Sequence, residues 1–164
     1  TFSSRGLGDV YKRQEFIINQ MNKALDKGAK KMIDENKFHF PKEHKNYLVP
    51  QILTNVTHEM DFMTEETFGP CVGIMKVSDE NEAVKLMNDS PYGLTASIWT
   101  NDVEIAEKIG NQVQTGTFFM NRCDYLDPAL SWTGVKETGK GCSLSEIAYE
   151  KLTAPKSFHL RKGQ

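Results

Sequence analysis

Glu66 is the residue whose position in the sequence most clearly suggests binding chemistry. It lies two residues before Phe68, and Gly69 and Pro70 follow directly. Glycine beside proline predicts a tight chain reversal, and reversals at strand ends are where open α/β sheets place ligands. A carboxylate only accepts hydrogen bonds, so it can hold both hydroxyls of a ribose. The alternative is a solvated glutamate in an acidic surface patch with Glu65, because charged residues are usually exposed.

The cysteines offer a second kind of chemistry. Cys71, Cys123 and Cys142 form no C-x-x-C pair. Arg122 precedes Cys123 and would favour its thiolate, but no histidine is close in sequence to act as a base. We therefore interpret all three as ordinary thiols, with Cys123 as a nucleophile kept as an alternative. The four histidines lack metal-ligand spacing, so no metal site is predicted.

Composition restricts the class of protein. Of 164 residues, 38% are hydrophobic and 26% charged, which is typical of a globular domain in water. The net charge is -2 with both signs interspersed, which argues against nucleic-acid binding. We see no membrane-length apolar run and no signal peptide, and the odd number of cysteines favours a reducing compartment. These features predict a cytoplasmic protein without a membrane partner.

The middle of the chain alternates between strand and helix patterns. Strands are predicted at 72–77, 94–99 and 117–120. A helix is predicted after Ser78 or Asp79, and a second one after Asn101, where Glu104 completes a capping box. Alternating strands and helices require crossover connections, so we predict an α/β fold with a largely parallel sheet.

The flanking regions are less uniform. A helix is predicted from Glu15 to a stop at Gly28, then a strand within 47–56. A helix near 144–152 and a final strand at 156–160 complete the chain. Residues 1–14 mix serine, glycine and basic residues without a period, and they resemble sequence at the broken ends of assembled reads. We predict that they are a sequencing or assembly scar, the alternative being a natural flexible terminus.

Four stretches, in order, resemble the C-terminal part of the aldehyde dehydrogenase superfamily. The first is Glu66-Thr-Phe-Gly-Pro and the second is the turn Asn-Asp-Ser-Pro-Tyr-Gly-Leu at 88–94. The third, Gly-Thr-Phe-Phe-Met-Asn at 116–121, is similar to the family's Gly-x-x-x-x-Asn strand. The fourth, Trp-Thr-Gly-Val-Lys-Glu-Thr-Gly-Lys-Gly at 132–141, is similar to Gly-Gly-x-Lys-x-Ser-Gly. Thr133 and Thr138 depart from that motif, which leaves the substrate subfamily open.

The resemblance implies roles for particular residues. Glu66 would hold the nicotinamide-side ribose of NAD or NADP, and Phe68 would pack beside the nicotinamide or in the core. The fourth stretch would be structural, because closely spaced glycines permit backbone paths that strain other residues. The loop at 122–131 would line the aldehyde entrance or pack on the core. Its candidate substrate-binding residues, with the tryptophan that follows, are Tyr125, Leu126 and Trp132.

The resemblance also implies a reaction. In the family a cysteine thiolate attacks an aldehyde, hydride leaves to NAD(P), and a glutamate-activated water hydrolyses the thioester. The nucleophile, the base and the dinucleotide-binding half would all precede this chain, so we expect no catalytic residue here and no activity of the chain alone.

The expected organisation is a partial catalytic domain at 15–153 and an oligomerisation strand and tail at 154–164. Residues 156–160 would pair with a neighbouring subunit of a homo-oligomer, since an unpaired strand edge exposes backbone groups that promote aggregation. Two alternatives remain: a non-catalytic assembly module that docks onto full-length subunits, or a standalone α/β domain that uses Cys123 for thiol chemistry.

Overall fold

The computed structural model describes residues 8–39, 47–123 and 125–163. The chain divides into two compact units, residues 1–79 and 80–164. Residues 1–7 of the predicted scar and residue 164 of the predicted tail lie outside the described residues.

The first unit is built on helix α1, Gly8–Asp26, which begins seven residues before the predicted start at Glu15. The helix stops as predicted at Gly28, whose φ of 100° is a left-handed conformation that glycine adopts without steric cost. One face of α1 is buried in the core of the unit. That core consists of Ile17, Met21, Ala24, Ala29, Leu53, Val56, Met60 and Phe62.

Three strands lie in the sheet of the first unit: β1 (Lys30–Lys31), β2 (Gln51–Thr54) and β3 (Cys71–Gly73). β2 lies in the middle, antiparallel to β1 and parallel to β3, and the short helix α2 (Asp61–Thr64) falls between β2 and β3 in sequence. A 3-10 turn, Glu35–Lys37, follows β1. β3 is shorter than the predicted 72–77.

The second unit opens with α3 (Glu80–Asn88), β4 (Tyr92–Gly93) and β5 (Thr95–Ile98), followed by α4 (Val103–Gly110) and β6 (Thr117–Met120). β5 and β6 pair in parallel with α4 as the crossover, as the alternating pattern predicted. The predicted cap of α4 was one residue early. Asp102 is the N-cap, and its carboxylate accepts a hydrogen bond of 3.0 Å from the Ile105 N–H.

The remaining elements of the second unit are β7 (Trp132–Thr133), β8 (Val135–Lys136), β9 (Cys142–Ser143) and α5 (Ile147–Leu152). β8 pairs antiparallel with β4, and β9 antiparallel with β7. The α/β class is confirmed, but the sheets are mixed, because three of the five strand pairings among the described residues are antiparallel.

Two predictions concern the end of the chain. The predicted helix at 144–152 is present but starts only at Ile147, because Leu144 and Ser145 take left-handed φ values of 63° and 57°. The strand predicted at 156–160 would need a neighbouring subunit as its partner, and it stays a prediction. Residues 153–163 have neither helix nor strand and are exposed, since a strand needs a partner and no described residue pairs with this segment.

Candidate functional site

The reversal predicted at Gly69 and Pro70 joins the end of α2 to the start of β3. The Cys71 N–H donates to the Gly69 carbonyl at 2.8 Å, and the Gln51 N–H donates to the Pro70 carbonyl at 2.8 Å. A Cβ on Gly69 would lie 2.5 Å from the Cδ1 of the buried Ile17. Two backbone hydrogen bonds and a core contact therefore fix the base of this turn.

Phe68 is the unusual residue of this turn. Its φ is 47°, in the left-handed region that non-glycine residues seldom occupy, and 71% of its surface is exposed. The guanidinium carbon of Arg13 lies 6.0 Å from the ring centroid. Phe68 is therefore not a core residue of this chain, and the turn presents an apolar ring to its surroundings.

Glu66 is also exposed, and none of the described residues forms a hydrogen bond or ion pair with its carboxylate. The carboxylate and the ring of Phe68 are two positions apart on one fixed turn, and both are accessible to a ligand. The predicted cofactor role of this pair stays a prediction.

A concavity of about 100 Å³ lies in the second unit, at the end of β6 and in the loop that follows. Its lining residues are Thr117, Phe119, Arg122, Tyr125, Asp127, Leu130, Ser131, Trp132 and Leu144. Two of the predicted substrate-binding residues, Tyr125 and Trp132, line this concavity. Leu126, the third, lies outside the lining and is 56% exposed.

Asn121 fixes the point at which this loop begins. Its amide Nδ2 donates to the Thr100 carbonyl at 2.7 Å, and its Oδ1 accepts from the Thr100 N–H at 3.0 Å. Its φ of 55° turns the chain out of β6, a conformation that asparagine tolerates better than most residues. The loop therefore leaves the parallel pair in a defined direction.

The stretch at 132–141 is held by side chains. The ammonium of Lys136 donates to the carbonyls of Asn88 and Ser90 at 2.8 and 2.9 Å, at the end of α3. The Gly93 N–H donates to the hydroxyl of Thr138 at 2.8 Å. Thr138 therefore supplies a hydroxyl acceptor where the similar motif has serine. These contacts support the structural interpretation of this stretch.

The thiols occupy different environments. Cys123 is exposed, whereas Cys71 and Cys142 are half-buried. Burial raises the pKa of the Cys71 thiol, which makes it a poor thiolate at neutral pH. Within the described ranges no group of three or more His, Cys, Asp or Glu side chains could hold a metal ion. No helix in the described part of the chain is long and apolar enough to cross a membrane.

Sequence reasoning missed two polar features of the concavity. The buried hydroxyl of Thr117 has no hydrogen-bond partner, and the guanidinium of Arg122 lies over the ring of Tyr125 at 3.8 Å. A threonine in a strand pattern gives no sign of whether its hydroxyl is satisfied. The spacing of Arg122 and Tyr125 was visible, but the loop had no period from which a contact could be inferred.

Comparison with known proteins identifies the class. Residues 11–158 match the aldehyde dehydrogenase family, and the chain belongs to that family. The match includes residues 11–14 of the predicted scar, which also lie in α1.

Individual relatives sharpen the comparison. An aldehyde dehydrogenase of Emericella nidulans is 36% identical over 117 residues, which are 71% of this chain and 24% of the relative. The structure of the Mycobacterium tuberculosis aldehyde dehydrogenase complexed with NAD+ has a TM-score of 0.80 at 30% identity, over 93% of this chain and 31% of that one. A succinic semialdehyde dehydrogenase of Streptococcus pyogenes in complex with NADP+ has a TM-score of 0.76 at 30% identity, covering 84% and 30%. The chain thus spans about a quarter to a third of these relatives.

Proposed function

We propose that this chain is the C-terminal part of the catalytic domain of an enzyme that oxidises aldehydes to carboxylic acids with NAD or NADP through a cysteine thioester. The family match and the relatives' bound NAD+ and NADP+ support this. The observation that carries the proposal is Phe68, an exposed ring on a left-handed backbone beside an accessible carboxylate. Backbone strain of this kind persists where surrounding structure enforces it, and it concentrates at ligand sites.

The cofactor contacts follow from the chemistry of the two side chains. Glu66 accepts hydrogen bonds from the two hydroxyls of the nicotinamide-side ribose, since a carboxylate offers two acceptor oxygens and charge strengthens each bond. Phe68 covers one face of the nicotinamide, which removes apolar ring surface from water. NAD or NADP, when bound, supplies the hydride acceptor.

In the second unit, Tyr125, Leu126 and Trp132 contact the aldehyde as it enters. Tyr125 and Trp132 act from the lining of the concavity, and Leu126 acts from the adjacent exposed surface. Apolar side chains suit the carbon skeleton of an aldehyde, since small-molecule sites are lined mostly by apolar groups.

We further propose that no residue of this chain is the nucleophile or the base, so that the chain alone is inactive. Cys123 is exposed but is not among the residues lining the concavity. Residues 15–153 would then be the catalytic part and 154–164 the tail. For residues 1–14 the scar remains the proposal, and the family match of residues 11–14 is the observation that argues against it. The expected setting is a cytoplasmic homo-oligomer in which residues 156–160 pair with a neighbouring subunit. Exposed Phe158 and Leu160, at 70% and 86%, are the surface that such pairing would cover.

The test is a chimera in which this chain replaces the matched region of the Emericella nidulans aldehyde dehydrogenase. The chimera should form reduced nicotinamide from an aldehyde, and the chain alone should not. Glu66→Gln should lower kcat/KM for the cofactor by about tenfold to a hundredfold, the cost of a charged hydrogen bond of about 1.5–3 kcal/mol. Glu65→Gln, at the adjacent exposed glutamate, is the matched control and should change little.

Turnover by the chain alone that survives Cys123→Ala would contradict the proposed absence of a nucleophile. Equal effects of Glu65→Gln and Glu66→Gln in a chimera that folds and turns over would remove the cofactor role and leave Glu66 as a surface residue.

A second candidate is a non-catalytic module that docks onto full-length subunits. The exposed apolar side chains of residues 153–163 favour it. It predicts that the chain co-purifies with a full-length relative and that Phe158→Ser with Leu160→Ser abolishes the association. Co-purification unchanged by the double substitution would argue against docking through the tail.

A further inference from the structure

The concavity of the second unit contains a cation whose hydrogen-bonding edge is unused. The guanidinium carbon of Arg122 is 3.8 Å from the ring centroid of Tyr125, a stacked contact that occupies the flat face of the cation. None of the described residues accepts a hydrogen bond from Arg122. The N–H groups of a guanidinium form a planar fork that matches a carboxylate.

A second polar group in the same lining lacks a partner. The hydroxyl of Thr117, on β6, is buried and unpaired. Its oxygen has almost no accessible surface, so a ligand in the concavity does not reach it. Arg122 is therefore the donor that a ligand in this space can use.

The size of this space limits what it can hold. At about 100 Å³ it lies below the roughly 300–1,000 Å³ of sites that enclose a drug-sized ligand. The space therefore suits a small group such as a carboxylate with a short apolar stem, and not a drug-sized ligand. The apolar walls contributed by Leu130 and Trp132 fit the apolar stem.

Asp127 opposes an anion, because its carboxylate also lines the concavity. Its Oδ1 accepts a hydrogen bond of 2.9 Å from the Ala129 N–H, so the carboxylate is held by the backbone of its own turn. The lining therefore has one positive and one negative side chain. Recognition depends on the geometry of the Arg122 fork and not on a net positive field.

We infer that the concavity binds a carboxylate group at the end of the substrate remote from the aldehyde, with Arg122 as the donor. The inference rests on the proposed function for its aldehyde and makes the substrate class a short aldehyde acid. Arg122 is then a specificity-determining residue.

Binding to the full chain tests this without turnover. In a Trp99→Phe background Trp132 is the one remaining tryptophan, and its fluorescence reports on the concavity. The probes are butyrate and butyramide, which share a shape and differ in charge, with inorganic phosphate as a third arm. Butyrate should bind at least about tenfold more tightly than butyramide, since one charged hydrogen bond is worth about 1.5 kcal/mol or more.

The variants separate the Arg122 donor from a purely structural role. Arg122→Gln should abolish the preference for butyrate, and Arg122→Lys should restore part of it. Thr117→Val is the control in the same lining: it should leave the preference for butyrate unchanged, because the hydroxyl is not accessible to a ligand. Asp127→Asn should strengthen butyrate binding by removing the opposing charge.

Equal affinities for butyrate and butyramide, or a preference for butyrate that survives Arg122→Gln, would overturn the inference. Tighter binding of phosphate than of butyrate would reject a carboxylate as the ligand. The readout needs neither cofactor nor oxidation. An inactive chimera together with selective butyrate binding would therefore reject the proposed function and leave the carboxylate site in place.

Discussion

The turn at 66–70 and the stretch at 132–141 both contain glycine and a non-glycine residue with left-handed φ, yet they are fixed in different ways. Phe68, with φ of 47°, leaves its ring 71% exposed. Lys136, with φ of 56°, uses its side chain to bind two carbonyls at the end of α3. The same backbone conformation therefore lets Lys136 form a structural contact, whereas at Phe68 it leaves the side chain exposed. A motif alone does not distinguish these two uses.

We expect the largest effect from adding a side chain at Gly116, which lies against β7 of the stretch at 132–141. A Cβ there would lie 1.6 Å from the carbonyl oxygen of Thr133, a backbone atom that cannot move aside cheaply. Gly116→Ala should lower the free energy of unfolding by about 3 kcal/mol or more, measured by urea denaturation. Gly163→Ala, where no atom lies within 4 Å, is the control. Wild-type stability of Gly116→Ala would show that β7 does not hold this position.

Lys136→Asn tests the structural contact itself. Asparagine tolerates left-handed φ, so the backbone cost is small, but the two ammonium hydrogen bonds are lost. We expect a loss of about 1–2 kcal/mol in the free energy of unfolding, because the lysine is exposed and water replaces part of each bond. Lys140→Asn, on the same stretch without such bonds, should be nearly neutral. Equal effects at the two positions would contradict the assignment.

Phe68→Asn is the matched change in the first turn and should have the opposite sign. The ring is mostly exposed, so little apolar burial is lost, and asparagine relieves left-handed strain. The free energy of unfolding should stay unchanged or rise by up to about 1 kcal/mol. A fall of more than about 1 kcal/mol in the same titration would make Phe68 a packing residue of this chain.

We expect the smallest change in the free energy of unfolding at an exposed ion pair. It shows how little an exposed charged contact contributes, for comparison with the hydrogen bonds of Lys136. Lys31 hydrogen-bonds Glu35 and lowers the pKa of that carboxyl below its ordinary value of 4.5. A lowered pKa in the folded state adds stability that is complete above the unfolded value and is lost as pH falls through the folded one. Glu35→Gln should therefore cost about 0.3–0.5 kcal/mol near neutral pH and nothing in strong acid. A difference that persists in acid would assign the effect to something other than charge.

The parts of the fold that sequence predicted are those specified locally. β6 occupies 117–120 as predicted, because its apolar run is bounded by a glycine and an asparagine. The α4 crossover was predicted from a cap and a helical stripe, but the cap was predicted at Asn101 and is Asp102 in the structure. The antiparallel pairs β4–β8 and β7–β9 were not predicted, since strands of two residues have no measurable period.

The candidate site follows the same division. The reversal at Gly69 was readable from residue types, whereas the left-handed Phe68 was not, because phenylalanine seldom signals that conformation. Tyr125 and Trp132 were named from the family resemblance, and the structure places both in one concavity. The unsatisfied hydroxyl of Thr117 depends on tertiary packing that no local pattern encodes.

The side-chain amide of Asn121 has a consequence for how this protein can diverge. It forms hydrogen bonds with the N–H and the carbonyl of Thr100, just beyond the carboxyl end of the β5–β6 pair. The hydrogen bonds that hold this end of the pair therefore involve no residue after Asn121. Insertions or deletions beyond that residue therefore do not propagate into strand register. Loop grafting between homologues, with Asn121 and Thr100 retained, is accordingly a route to altered selectivity that leaves the framework intact.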